Sequence, residues 1–236
     1  EIVKKIKKDL DNYYANYLIK SKENKIISFD DTLYKLENDK FLKIKNLLLS
    51  DSNFIKALES IAEYKQIKKL PKINFISLQL TSSIDDYAKT RIKNLKDKAC
   101  EYMHIDSVVG QIKILVYLSK VNVENGPTSI CENTHNKGVP NISHFIGGAV
   151  DNLGIGNSDE KNMKAFKSLP SKLQIKNSFG SDLDNKSDLA NFLISREKKI
   201  TGDEGTIIAF DPLSVHRGGL ISEGFREILQ VSLSLK

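Results

Sequence analysis

The chain changes its period partway along. In the opening residues apolar side chains recur at helical spacing: Ile2, Ile6, Leu10, Tyr13 and Tyr14 share one face, and Phe41, Ile44, Leu47 and Leu48 share another. Asp51-Ser52 has the residue types of an N-cap and predicts a further helix through Tyr64. Residues 1–68 are therefore expected as helices packed on the outside of a sheet. After Pro71 the pattern shortens. Asn74 to Leu80 reads as a strand, Ile84 to Lys96 as a helix, and a second strand follows near residue 104. Ser107 to Gly110 is a loop. Gln111 to Leu118 then alternates, with Ile112, Ile114, Val116 and Leu118 on one face and Gln111, Lys113, Leu115 and Tyr117 on the other.

Residues 136–200 hold Gly147-Gly148, Gly154 and Gly156, a polar helical stretch near Ser158 to Leu169 and another near Ser187 to Ser195. So long an excursion between two strands is more often functional than idle, and a substrate-side lid is expected. The whole pattern predicts one domain over residues 1–236, mainly β with flanking helices and of the α+β class. Its helical part spans 1–68, and a β core spans 70–236 with the lid-like insertion at about 136–200.

The chemistry concentrates at two places. In Glu101-Tyr102-Met103-His104-Ile105-Asp106, the residues at i and i+2 of an extended strand point to the same face, so His104 and Asp106 can reach one ion together. With His216 from far downstream they make two imidazoles and one carboxylate, the ligand set of the facial triad that leaves positions open on a non-heme Fe(II). A lone His-x-Asp also arises by chance, and the same ligands suit zinc, so a zinc hydrolase is a competing reading. The four Arg of the chain are scarce against its Lys, yet Arg217 and Arg226 both fall within ten positions of His216. The planar guanidinium fork binds a carboxylate through two parallel hydrogen bonds, which Lys cannot do. The plain alternative for either Arg is a surface salt bridge.

Two blocks, His104 to His135 and Gly202 to Leu235, resemble the phytanoyl-CoA dioxygenase (PhyH) family of Fe(II)/2-oxoglutarate dioxygenases. The first has His-x-Asp, the strand Gln111 to Leu118, the turn Asn125-Gly126-Pro127 and the closing triplet Asn133-Thr134-His135. The second has Gly202-Asp203, the run Thr206 to Phe210, Asp211-Pro212-Leu213-Ser214-Val215-His216 and Gly224-Phe225-Arg226. The family's Pro-Gly before Ser-His is Glu132-Asn133 before Thr134-His135 here. The resemblance implies a double-stranded β-helix (jelly roll, cupin-like) with the N-terminal helices on its sheet. It implies Fe(II) on His104, Asp106 and His216, with 2-oxoglutarate and O2 as co-substrates. Arg226 stands where the family binds the far carboxylate of 2-oxoglutarate.

Aligned on the Asn125-Gly126 turn, the face bearing Lys113 and Tyr117 points into the barrel, making both candidates to line the co-substrate or substrate pocket. In the reversed register Lys113 is in solvent. Arg217 is a candidate substrate contact, with an outward salt bridge as its alternative, and His135 is expected to steady the turn. The implied reaction is hydroxylation of a small molecule with succinate and CO2 as co-products. Halogenating members carry a small residue in place of the carboxylate, whereas Asp106 is present. A non-catalytic jelly-roll binding module retaining the triad as a relic is the remaining alternative.

Composition narrows this further. The net charge of +6 is spread as single Lys residues with no basic arm and no base-stacking pattern, so a nucleic-acid partner is not indicated. No apolar run approaches bilayer length and no N-terminal block has signal-peptide character, so a cytoplasmic protein without a membrane partner is expected. Cys100 and Cys131 offer neither a disulfide framework nor a metal spacing and read as free thiols.

Overall fold

The structure is a computed structural model that describes residues 1–22, 33–82, 111–135, 188–219 and 221–235. Four helices come first: α1 (Ile2–Asp9), α2 (Asp11–Lys22), α3 (Asn38–Leu49) and α4 (Ser52–Tyr64), with the short strand β1 (Leu33–Lys35) between α2 and α3. There follow β2 (Lys72–Ser82), β3 (Gln111–Tyr117), β4 (Ser129–Cys131), α5 (Asp188–Arg196), β5 (Glu197–Lys199), β6 (Ile207–Phe210), β7 (His216–Arg217) and β8 (Phe225–Ser234). The strands form two antiparallel sheets, a five-stranded one in the order β1-β2-β8-β3-β6 and a three-stranded one in the order β5-β4-β7. Among the described residues no helix is long and apolar enough to cross a membrane.

Helix α4 starts where its sequence says it should. The Asp51 carboxylate accepts from Asn53 N at 3.0 Å and Phe54 N at 2.9 Å, satisfying two amides that the helix cannot pair internally. The outward face of the large sheet is apolar and carries the main core. Ile76, Leu78 and Leu80 of β2, Ile112, Ile114 and Val116 of β3, and Leu229, Val231 and Leu233 of β8 pack with Ile6, Leu10, Ile44, Leu48, Phe54 and Leu58 of the helices. Each such side chain contributes about 1.5–3 kcal/mol when taken from water, so this layer orients the sheet.

A second, smaller cluster lies on the opposite face, between the sheets: Leu115, Tyr117, Val121, Ile208, Phe210 and Ile228, with Ile130 and Ile200 against it. The two faces of β3 therefore divide as the alternation predicts, Ile112, Ile114 and Val116 toward the helices and Leu115 and Tyr117 toward the small sheet.

Three expectations need adjusting. The helical part is interrupted by β1, which pairs with β2 through Leu33↔Gln79, Tyr34↔Leu78 and Lys35↔Ser77. Three residues carry too short a period to register as a strand by pattern. They are held by the Leu36 N to Ile76 O hydrogen bond at 2.9 Å and by Tyr34 against Tyr13, ring centroids 5.3 Å apart. Strand β2 is longer than expected and takes up an irregularity between Ile73 and Phe75. Of the stretch expected as a lid, residues 188–199 form α5 and β5, and β5 is hydrogen-bonded into the small sheet through Ser129↔Lys199 and Cys131↔Glu197. The rest of that stretch, and the helix expected at Ile84 to Lys96, lie outside the described residues.

Candidate functional site

His216 begins strand β7, which lies against β4 with Ile130↔His216 and Ser129↔Arg217 in register. Successive residues of a strand face opposite ways. His216 is buried at 4% exposure and its ring meets the Phe210 ring edge-on, centroids 4.9 Å apart, so it sits between the sheets. Arg217 points away, and its Nε and Nη2 donate to the two carboxylate oxygens of Glu197, both at 2.7 Å. Ser129 Oγ also donates to Glu197 at 2.5 Å, so this carboxylate ties the three strands of the small sheet together. The guanidinium expected as a substrate contact is thus engaged in the outward salt bridge that was its alternative. Burial would raise the Glu197 pKa, but the hydrogen bonds from Arg217 and Ser129 and the nearby positive charges outweigh it and hold the carboxyl below its ordinary value.

The Nδ1 of His216 lies 2.8 Å from the Ser214 carbonyl, which can only accept, so Nδ1 carries a proton, and in the neutral ring the lone pair is on Nε2. The turn that delivers it is built from Asp211: Oδ1 accepts from Leu213 N at 3.0 Å, the backbone carbonyl accepts from Ser214 N at 2.8 Å, and Oδ2 meets Lys65 Nζ at 2.6 Å. From the other side Thr134 Oγ1 accepts from Val215 N at 2.8 Å while donating to Cys131 O at 2.7 Å. Asn133 has φ of 60°, the left-handed conformation that Gly adopts freely and Asn tolerates, so this turn is made without a Gly.

Downstream of His216 the chain closes on the Asn125-Gly126-Pro127 turn. A Cβ on Gly219 would stand 2.8 Å from the Gly126 carbonyl carbon and 2.9 Å from Pro127 O, and Asn125 Nδ2 donates to Glu223 O at 2.9 Å. Gly219 O in turn accepts from Arg226 Nη1 at 3.4 Å. Arg226 is 2% exposed and stands opposite Thr81 on β2. It is two residues from Ile228, the partner of Tyr117, and therefore shares the inner face with that tyrosine. Tyr117 is fully buried, and its hydroxyl donates to Ile200 O at 2.6 Å across to the small-sheet side. Burial raises its phenol above the ordinary value, with the Arg226 charge and Thr128 pulling the other way. Lys113 pairs with Phe210 and holds its Nζ 6.0 Å from that ring's centroid, so its ammonium and the His216 imidazole meet the same aromatic ring.

His104 and Asp106 lie outside the described residues, as do Cys100 and His144. His216 is the member of the expected triad that is described, and among the described residues no cluster of three His, Cys, Asp or Glu could hold a metal. His135 is half-buried and its Nε2 lies 3.0 Å from Tyr64 Oη, tying the turn after β4 to the end of α4. Cys131 is buried with Sγ donating to Leu193 O at 3.4 Å, and burial, with the Glu197 charge, pushes its thiol up to about 11. Lys65, Asp211 and Thr134, which position His216, and Gly219, which touches the Asn125-Gly126-Pro127 turn and Arg226, were not singled out from the sequence for these roles. The pair Gly218-Gly219 directly after His216-Arg217 was a signal available for one of them.

No family model and no curated protein matches this sequence. Among solved structures, the chain is similar to AviO1 from Streptomyces viridochromogenes Tue57, at 11% identity over 98% of this chain and 84% of that one, with a TM-score of 0.48. It is similar also to HygX from Streptomyces hygroscopicus. With nickel and 2-oxoglutarate bound the values are 11% identity, 86% and 68% coverage and a TM-score of 0.45. With iron bound they are 12%, 86% and 72%, and 0.45.

Proposed function

We propose that the chain is an Fe(II)- and 2-oxoglutarate-dependent oxygenase of the double-stranded β-helix type, related to the PhyH family, that hydroxylates a C-H bond of a small molecule. The observation that carries this reading is the state of His216. It is buried between the sheets with Nδ1–H given to a backbone carbonyl, the arrangement that leaves a neutral Nε2 lone pair for a metal and fixes the ring's direction. His216 would supply one leg of the facial triad through Nε2, and His104 and Asp106 would supply the others. Bound there, Fe(II) supplies the redox chemistry that couples decarboxylation of 2-oxoglutarate to hydroxylation of the substrate. RH, O2 and 2-oxoglutarate become ROH, succinate and CO2.

The chain's own groups bind, orient and exclude water. Arg226, buried on the inner face and braced on Gly219 O, receives the far carboxylate of 2-oxoglutarate through its guanidinium fork. Tyr117 is anchored to Ile200 O and forms the wall beside Arg226, and Lys113 lies at the Phe210 end of the same face. Leu115, Ile208, Phe210 and Ile228 keep water from the His216 side.

The test is succinate formation by the purified protein with Fe(II), 2-oxoglutarate and oxygen. His216→Ala and Asp106→Ala are expected to abolish it. Arg226→Ala is expected to raise the 2-oxoglutarate concentration for half-maximal rate by tenfold or more, which removal of a charged hydrogen-bond partner entails. Metal-dependent hydrolysis with zinc and no succinate with Fe(II) would overturn the reading.

A further inference from the structure

Asn125-Gly126 is the one Asn-Gly pair in the sequence, and it stands where the chain closes downstream of His216. Such a pair has a chemistry of its own. Gly has no side chain to hinder its backbone nitrogen, which can attack the side-chain carbonyl carbon of the Asn before it. A bond forms between Gly126 N and Asn125 Cγ, the bond from Cγ to Nδ2 breaks, and ammonia leaves. Water then opens the five-membered imide to aspartate or isoaspartate, with no change of oxidation state.

The fold restrains each atom of this reaction. Asn125 Oδ1 accepts from Asn122 N at 3.1 Å, Asn122 Oδ1 accepts from Asn125 N at 3.1 Å, and Asn125 Nδ2 donates to Glu223 O at 2.9 Å. Gly126 N, the nucleophile, donates to Val123 O at 3.4 Å. The Asn125 side chain cannot swing toward it without giving up Asn122 N and Glu223 O. The facing loop is held as well, since Glu124 O accepts from Ser222 N at 2.9 Å and from Glu223 N at 3.2 Å. Yet this junction lies at the surface: Asn122, Val123, Glu124, Ser222, Glu223 and Gly224 are exposed and Asn125 is half-buried. Hydrogen bonds between exposed loops open far more often than those of a core.

We propose that Asn125 is a deamidation site whose reaction waits on separation of the two loops, and that its product keeps them from rejoining. Aspartate replaces the Nδ2 donor with an acceptor that faces the Glu223 carbonyl, so two acceptors meet. Isoaspartate lengthens the main chain by one methylene where Gly126 already touches Gly219, and a Cβ on Gly219 would stand 2.9 Å from Gly126 Cα. Gly224, Phe225 and Arg226 follow directly on Glu223, so the change reaches the guanidinium braced on Gly219 O. The modification stands apart from the oxygenase reading; only its effect on 2-oxoglutarate rests on it.

Wild type, Asn122→Ala and Gly219→Ala are aged at mildly alkaline pH, both folded and unfolded in urea, and the peptide holding Asn125 is followed by mass spectrometry for a gain of about one dalton. The unfolded chains are expected to react alike and fast. Folded wild type should gain the mass at least about tenfold more slowly, with the folded variants in between, because each loosens the junction. If Gly219→Ala does not fold, Asn122→Ala carries the comparison. Asn125→Asp, the product made directly, should be cut after Glu223 by a Glu-specific protease several-fold faster than wild type. Equal rates folded and unfolded, no gain at Asn125 in any folded protein, or cleavage of Asn125→Asp at the wild-type rate overturns the proposal. None of these readouts needs turnover, so a failure to form succinate leaves them intact.

Discussion

Lys65 Nζ lies 2.6 Å from Asp211 Oδ2, joining the residue that ends α4 to the turn that presents His216. The pair is mostly buried, at 15% and 11% side-chain exposure, and Asp211 is bonded in turn to the backbone of Leu213 and Ser214. The helical layer thus reaches the imidazole through a continuous set of bonds: Lys65, Asp211, the Ser214 backbone, then Nδ1. Lys65→Met leaves a buried carboxylate without its cation and is expected to lower stability by about 2–4 kcal/mol. Denaturant unfolding reads this directly, and a change below 0.5 kcal/mol, roughly the range of an exposed pair, contradicts it.

Thr134 acts on the same turn from the opposite side. Thr134→Val keeps the shape but strands the Val215 amide, so a loss of about 1–3 kcal/mol is expected, with Thr134→Ser close to wild type. The contrast between the two variants in thermal melts separates the hydroxyl from packing, since Val fills the volume and Ser supplies the acceptor.

Gly219 allows two backbones to touch. Its added methyl in Gly219→Ala would meet Gly126 and Pro127 backbone atoms at 2.8–2.9 Å, and backbone yields far less readily than a flexible side chain. The loop should shift and carry the Gly219 carbonyl away from Arg226. The measurement is the 2-oxoglutarate concentration for half-maximal succinate formation, expected to rise several-fold with little change in saturated rate. An unchanged value removes Gly219 from the set of positioning residues.

Glu197 gives the small sheet a pH dependence. Its carboxyl is held below the ordinary value of 4.5, so the folded state favours the charged form. The sign follows from linkage: this stabilisation is complete above the unfolded value and is lost as pH falls through the lowered folded value. Glu197→Gln should therefore be less stable than wild type at pH 7, and the difference should shrink on acidification through the range below 4.5. Unfolding free energies of both proteins across that range test it; a gap that widens on acidification contradicts the assignment.

Much of the architecture was legible in the sequence because period and burial agree there. The alternation of Gln111 to Leu118 assigned its two faces, and Asp51 marked the start of α4. What the sequence hid were features that depend on distant partners. Leu33–Lys35 becomes a strand because β2 offers it an edge, and Glu197–Lys199 because β4 does. Nothing local in the sequence connects Asp211 with Lys65, which is 146 positions away. Asn133 looked like a departure from a Gly-containing turn, yet it holds a positive φ of 60° that Gly would adopt freely.

Strand β8 lies at the centre of the large sheet, between β2 and β3, although it is the last described strand along the chain. The two segments it joins are separated from it by more than a hundred residues, so during synthesis both wait with an unfilled edge until residues 225–234 have emerged. The sheet that carries the helical core and Arg226 cannot close piecemeal. A truncation that removes β8 is therefore expected to yield not a shortened enzyme but a chain with two exposed, pairing-competent edges, prone to associate with its own kind.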